Sequence, residues 1–237
     1  MSFETVLEAA RNGDPDAQTA MGYMFFKGDG VAKDRREAAR WFGLAADQGN
    51  AEAMCNLGYM RAHGEGIRMD LEKAVDLYKR SAELGNPRAM FNLAFMYTDA
   101  EGVEQNWEEA YKWYSRAADA GNLEALYRTG VMDLEGKGTE RSVSKASDAF
   151  AKCLEYGHPK AGYRLGMIYL DSDPKKSVKY FSRSAELGSG EAMLELGKMS
   201  LAGNGMIRSA RNAEKWFRKA SARGIKEAED YLRECGK

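Results

Sequence analysis

The chain has 237 residues, with 35 Lys and Arg against 36 Asp and Glu and a formal net charge of −1. That balance gives no electrostatic reason to expect nucleic acid or an anionic membrane as partner. No run of 18 apolar residues argues for a membrane-spanning helix, and Cys55, Cys153 and Cys235 follow no pairing pattern, which suits small, at least half-buried free thiols in a reducing compartment.

Met1 to Pro15 carries Glu4, Glu8, Arg11 and Asp14. It lacks the basic start and apolar core of a secretory signal, so a cytoplasmic location is expected. From here glycines mark the chain at Gly13, Gly49, Gly85, Gly121, Gly157, Gly188 and Gly224, at intervals of 36, 36, 36, 36, 31 and 36. A period of this size signals a stack of supersecondary units.

Each unit reads as two helices. The residue after the glycine is a good N-cap in most units (Asp14, Asn50, Asn86, Asn122, Ser189). Pro15, Pro87 and Pro159 follow it where the first helical turn needs no donor, and Pro174 also opens a helix. The hinge glycine itself suits the left-handed residue that ends a helix. Along the first helix, four and nine residues after the glycine, stand small residues: Ala53 and Gly58, or Ala161 and Gly166. A glycine inside a helix costs about 1 kcal/mol against alanine, so its return predicts a neighbouring helix too close for a side chain.

Gly-x-Gly turns (Gly28 to Gly30, Gly64 to Gly66, Gly136 to Gly138, Gly203 to Gly205) then lead to second-helix caps at Asp34, Asp70, Asn106, Ser142, Asp173 and Ser209. None of these turns has the spacing of a phosphate-binding loop. The second helix carries a large aromatic between small residues: Phe42, Tyr78, Tyr114, Phe150, Phe181 and Phe217. Such a ring makes a knob for a hole on the next helix. The interval of 31 falls between Tyr169 and Asp173, where the turn lacks its glycine pair and both helices are expected intact. Phe3 to Arg11 matches a second helix alone, and Lys226 to Glu234 a first helix alone. The expected organisation is one domain over 1–237. It has a leading helix over 1–13, repeats over 14–49, 50–85, 86–121, 122–157, 158–188 and 189–224, and a closing helix over 225–237, about 14 helices in all.

Ala89, Leu93, Tyr97, Gly102, Val103, Ala110, Trp113, Tyr114, Ala117, Ala118 and Gly121 together make a pattern that resembles the Sel-1-like repeat, a relative of the tetratricopeptide repeat. The resemblance covers nearly the whole chain. It departs at Arg61, Asp133 and Ser200 in the place of Tyr97, and at Leu77, Ala149 and Tyr180 in the place of Trp113. It implies an all-α, right-handed α-solenoid of antiparallel helix pairs, with a concave groove lined by first helices. It also implies work as a non-enzymatic adaptor or scaffold for a peptide or protein partner. A cysteine-rich branch of the family is reported to bind or hydrolyse β-lactams. Its paired cysteines are missing here, and that activity stays the alternative reading.

Catalytic residues, metal and cofactor are expected to be none. His63, placed in a turn, and His158, placed at a helix cap, have no cysteine or second histidine at ligand spacing. By analogy with the related repeat, residues six, seven and ten after the glycine face the groove. The candidate partner-binding residues are Tyr23, Tyr59, Phe91, Phe95, Tyr127 and Tyr163 as anchors, with Asn56 and Asn92 for a peptide backbone and Arg128 and Arg164 for carboxylates. Against this stands packing between repeats, which helical spacing alone more often means. Self-association through an end of the stack is a further option, because solenoid ends expose apolar faces unless capped.

Overall fold

The computed structural model describes residues 3–235, without the side chains of residues 234 and 235. Among the described residues there are fourteen α-helices and no strand. A leading helix, α1 (Phe3–Arg11), precedes six pairs. These are α2 (Pro15–Lys27) with α3 (Arg35–Asp47), α4 (Ala51–His63) with α5 (Leu71–Glu83), and α6 (Pro87–Asp99) with α7 (Trp107–Asp119). Then come α8 (Leu123–Glu135) with α9 (Val143–Glu155), α10 (Pro159–Tyr169) with α11 (Pro174–Glu186), and α12 (Gly190–Ala202) with α13 (Ala210–Ala222). A closing helix, α14 (Glu227–Cys235), follows. Two compact units divide the chain: the first runs to Ala125 and includes Lys137–Thr139, the second takes Leu126–Gly136 and the chain from Glu140. The fold is all-α, of the α-solenoid type, with consecutive helices packed on one another within each unit.

The hinge between pairs uses two residues for two helix ends. At Gly49 the backbone is left-handed (φ 89°), and a Cβ there would meet nothing within 4 Å. Glycine is therefore needed for its conformation and not for space. The Gly49 and Asn50 amides close α3 on the carbonyls of Ala46 and Ala45, at 3.0 and 3.1 Å. The Asn50 side chain then caps α4 by accepting from the Ala53 amide at 2.9 Å. One asparagine thus finishes one helix and starts the next, satisfying groups that helix ends otherwise leave open. The same backbone pair of bonds recurs at all seven hinges. Every second-helix cap read from the sequence accepts a bond from its own helix. The four prolines sit in the first turns of α2, α6, α10 and α11.

Glycines inside the first helices have the opposite cause. A Cβ on Gly22 would lie 2.5 Å from the Phe42 ring, and one on Gly58 or Gly130 would lie 2.9 Å from Tyr78 or Phe150. Gly166 meets Phe181, and Gly197 meets Phe217, closer still. The expected hole exists, but the knob fills it backwards: each ring seats on the first helix of its own pair, not on the helix that follows. Phe42, Phe150, Phe181 and Phe217 are buried by it.

The turn glycines join one pair to the previous one. A Cβ on Gly102 would lie 2.5 Å from the Leu71 backbone at the start of α5. Gly66, Gly138 and Gly205 press likewise on the first residues of α3, α7 and α11. The shortened repeat lacks this glycine, and Val143 at the start of α9 is left 41 % exposed. The five-residue loss was expected to spare both helices. Instead α10 has 11 residues where the other first helices have 13, so the deletion also removes part of its last turn.

Three single-residue changes separate these roles. Gly166→Ala drives a methyl into Phe181 and is expected to cost about 1–3 kcal/mol. Gly43→Ala, inside α3 with nothing within 4 Å of its Cβ, is expected to stabilise by roughly 1 kcal/mol. Ala100→Gly relieves the single left-handed non-glycine residue (φ 58°) among the described residues and also stabilises, by about 1 kcal/mol. Denaturant melts of the three variants check the signs.

Candidate functional site

Two clefts lie side by side on the first-helix face of the first unit. The larger, about 580 Å³, is walled by Tyr23, Phe26 and Lys27 from α2, Phe42 from α3, Glu52, Asn56, Tyr59 and Met60 from α4, and Arg88 from α6. The second, about 440 Å³, is walled by Tyr59, Ala62 and His63 from α4, Tyr78 from α5, Phe91, Asn92, Phe95 and Met96 from α6, and Glu101. Tyr59 is common to both. Of the ten candidate residues, six (Tyr23, Asn56, Tyr59, Phe91, Asn92 and Phe95) are brought together here.

A hydrogen-bonded cluster forms one side of the larger cleft. The Tyr23 hydroxyl donates to Glu52 Oε1 at 2.8 Å and accepts from Asn56 Nδ2 at 2.7 Å. Arg88 reaches the Tyr23 hydroxyl through Nη1 and the Asn56 Oδ1 through Nη2, both at 3.4 Å. The cluster links three first helices, α2, α4 and α6. Burial, together with the Glu52 contact, outweighs the cationic and amide neighbours and pushes the Tyr23 hydroxyl up. Asn56 is buried and tied to its neighbours, so it positions Tyr23 and Arg88.

Beneath the cluster Cys55 is fully buried, and burial pushes its thiol up to about 11. Cys55 and Cys153 are buried and form no disulfide, as expected, and the Cys235 side chain lies outside the described residues. His63 is the last residue of α4 and not a turn residue. Its Nδ1 donates to the Tyr59 carbonyl at 2.9 Å, and its ring stacks on Tyr59 at 4.2 Å between centroids. That stack fixes the ring shared by the two clefts. Phe95 stands out from α6 at 40 % exposed, while Phe91 is half-buried against Tyr114 at 5.4 Å.

The remaining four candidates lie in the second unit. Tyr127 is 7 % exposed, between Phe150 (5.6 Å) and His158 (4.6 Å, stacked), so it is a core residue and offers no ring to a partner. Its hydroxyl accepts from Arg164 Nε at 3.4 Å, which occupies one edge of that guanidinium. Tyr163 is half-buried and tilted on Phe181 at 5.9 Å. Arg128 is exposed. At the position of Tyr23 and Tyr59 this unit has Lys198, bonded to Glu195 at 3.0 Å and Glu227 at 2.8 Å. Burial alone would lower its ammonium, but the two carboxylates dominate and push it up to about 12.

Arg88 was not among the candidates, and the sequence holds a signal for it. Three residues after the hinge glycine stand Asp16, Glu52, Glu124 and Glu191, but Arg88 and Lys160 in the other two repeats. A cation replaces the acid at two repeats, and one of the two, Arg88, stands at this cleft. Among the described residues no group of three or more His, Cys, Asp or Glu side chains is placed to hold a metal ion. None of the described helices is long and apolar enough to cross a membrane.

The family model described as Sel1 repeat matches residues 15–50, 51–86, 87–122, 123–146, 159–189 and 190–225. No curated protein matches the chain. Among solved structures, it is similar to a protective antigen of uropathogenic Escherichia coli with an SLR fold, at 28 % identity and a TM-score of 0.90 over 96 % of this chain and 50 % of that one. The chain therefore spans half the length of that relative. A Sel1 repeat protein from Oxalobacter formigenes is similar at 26 % identity and a TM-score of 0.75, over 91 % of this chain and 95 % of that one. The APC/C hetero-tetramer Cut9–Hcn1 shares the fold at 14 % identity, with a TM-score of 0.60 over 98 % of this chain and 45 % of that one.

The buried thiol gives a pH prediction. Its folded pKa is raised above the ordinary 9.0, so the folded state keeps its full stability below that value and loses it as pH rises towards about 11. Relative to Cys55→Ala, the natural chain is expected to lose on the order of 1–2 kcal/mol between pH 8 and 11. Urea melts of both proteins across that range measure it, and parallel curves would show that the thiol titrates normally. Tyr23→Phe leaves the buried Asn56 amide without an acceptor and is expected to cost about 1–3 kcal/mol by the same melts at pH 7.

Proposed function

The chain belongs to the Sel1 repeat family, and on that basis we propose that it is a non-enzymatic interaction scaffold. In this reading the first-helix face of its first unit holds a peptide or protein segment. The repeat architecture supports protein partners as the general class. The specific reading rests on one observation: a stacked ring, Tyr59, separates two adjoining clefts and carries an exposed aromatic, Phe95, beside it. Rigid aromatic rings offer large contact area at small entropic cost, and they are the residues that dominate binding energy at interfaces. Their rigidity here comes from neighbours: His63 on Tyr59, and the T-shaped contacts of Phe26 with Tyr59 at 6.4 Å and of Tyr23 with Phe42 at 5.3 Å.

Hydrolysis of a small molecule fits this cleft less well. A nucleophile needs a base beside it and a free line to the substrate. The Tyr23 hydroxyl instead spends its hydrogen on Glu52 and its lone pairs on Asn56 and Arg88. That is the bonding of a structural junction.

A random peptide library displayed on phage and panned on the full chain tests the scaffold reading. Peptides selected by the natural protein are expected to bind the Tyr59→Ala/Phe95→Ala variant at least roughly 10-fold more weakly, with an unchanged circular dichroism spectrum. Undiminished binding by a folded double variant would place the interaction elsewhere.

A further inference from the structure

The two clefts differ in charge. Lys27 and Arg88 stand at the larger one, and among the described residues neither makes an ion pair. Glu52, the carboxylate lining that cleft, accepts from the Tyr23 hydroxyl and also attracts Arg88, so the two cations outnumber it by one. Arg88 is exposed, yet it is held in place by two long bonds at 3.4 Å, one from each terminal nitrogen. A guanidinium has five N–H donors, so three remain after these two contacts, enough for a two-pronged bond to a carboxylate. The cluster that positions Arg88 has already immobilised the side chain, which lowers the cost of binding. The chain as a whole has a net charge of −1, so this positive spot is local.

The second cleft is apolar at its walls and acidic at its edge. Phe91, Phe95 and Met96 line it, with Glu101 beside them. A methionine among aromatics adapts to differently shaped apolar side chains, and Glu101 disfavours an acid at this place. Asn92 also lines this cleft, and its side chain is bonded to the Tyr78 hydroxyl.

We propose that the groove recognises an extended acidic segment of a partner protein, with a side-chain carboxylate on Arg88 and a large apolar side chain in the Phe95 cleft. The proposal rests on the scaffold reading above and names the chemistry of the occupant. The two clefts meet at Tyr59, so they are neighbours, and alternate residues of an extended chain lie about 7 Å apart. Arg88 and Phe95 lie seven residues apart on α6, about 10 Å along its axis, so the acid and the apolar residue stand within about three positions of each other.

The phage selection decides this when its winners are read and remade. Enrichment of Asp or Glu within about three residues of a large apolar residue is expected. In synthetic peptides of the selected sequences, changing that acid to its amide should weaken binding roughly 10-fold at low salt, with the difference shrinking as salt is raised. On Arg88→Gln the acid and amide peptides should bind within about twofold of each other. Winners that are apolar but carry no acid, and that still depend on Tyr59 and Phe95, would overturn the carboxylate and leave the scaffold reading standing. An acid preference undiminished on folded Arg88→Gln would overturn the role of Arg88. No enriched sequence, or winners indifferent to Tyr59 and Phe95, would sink both readings.

Discussion

Within each pair, the seat of an aromatic ring on a bare stretch of helix backbone sets the distance between the two helices. Removing the Cβ at Gly22, Gly58, Gly130, Gly166 or Gly197 lets the partner ring lie against the first helix, where a methyl would not fit. Burying a phenylalanine ring contributes about 2–3 kcal/mol, well above the roughly 1 kcal/mol that a helical glycine costs. The trade therefore favours the pair by a clear margin each time it recurs. Ala94 is the exception, and there Phe91 meets Tyr114 edge-on at 5.4 Å. Because the ring is spent on its own pair, the next repeat must be attached by something else.

Each second helix packs on the next first helix, and the turn adds a second attachment. Gly66, Gly102, Gly138 and Gly205 each press on the first residues of the preceding second helix, at Arg35, Leu71, Trp107 and Pro174. Gly138 has both reasons to be glycine, a left-handed backbone (φ 67°) and no room beside the Trp107 carbonyl. The shortened repeat shows what happens without it. Its helix pair survives, because the Phe181 ring still finds Gly166. The helix start that would have received the turn, Val143, is left exposed. The pair and the stack are thus held by separable contacts.

Local signals were legible in the sequence because each is settled within a few residues. Asn50 caps a helix whatever lies elsewhere, and a proline after the cap opens one. The interior glycines announced a close neighbour, but which helix supplied the ring depended on packing that spacing does not encode. The candidate groove was legible only in part for the same reason. Phe91 and Tyr127 share a register position, yet one lines a cleft and the other is buried. The difference comes from His158, a large ring standing where most repeats have a small cap, which stacks on Tyr127 and covers it. Asn56 looked free from its spacing and proved to be tied to Tyr23 and Arg88, residues 33 and 32 positions away.

The helices α1 and α14 pack as the repeats do. At the start, α1 brings Val6 and Ala10 against Met21 and Trp41, covering the first pair. At the end, α14 stacks Tyr231 on Phe217 at 4.7 Å and bonds Glu227 to Lys198. Each of these helices thus packs on the pair beside it. Hinges, turns and seats are likewise committed to holding pairs together. Among the first helices, residues three and ten after the hinge bond one another across neighbouring repeats. At those places Lys198 closes the second unit by pairing with carboxylates, whereas Tyr23 and Arg88 of the first unit bond each other and leave a guanidinium with donors to spare. The same two register positions therefore form an ion pair at Lys198 and Glu227 and a mixed hydrogen-bonded cluster at Tyr23 and Arg88.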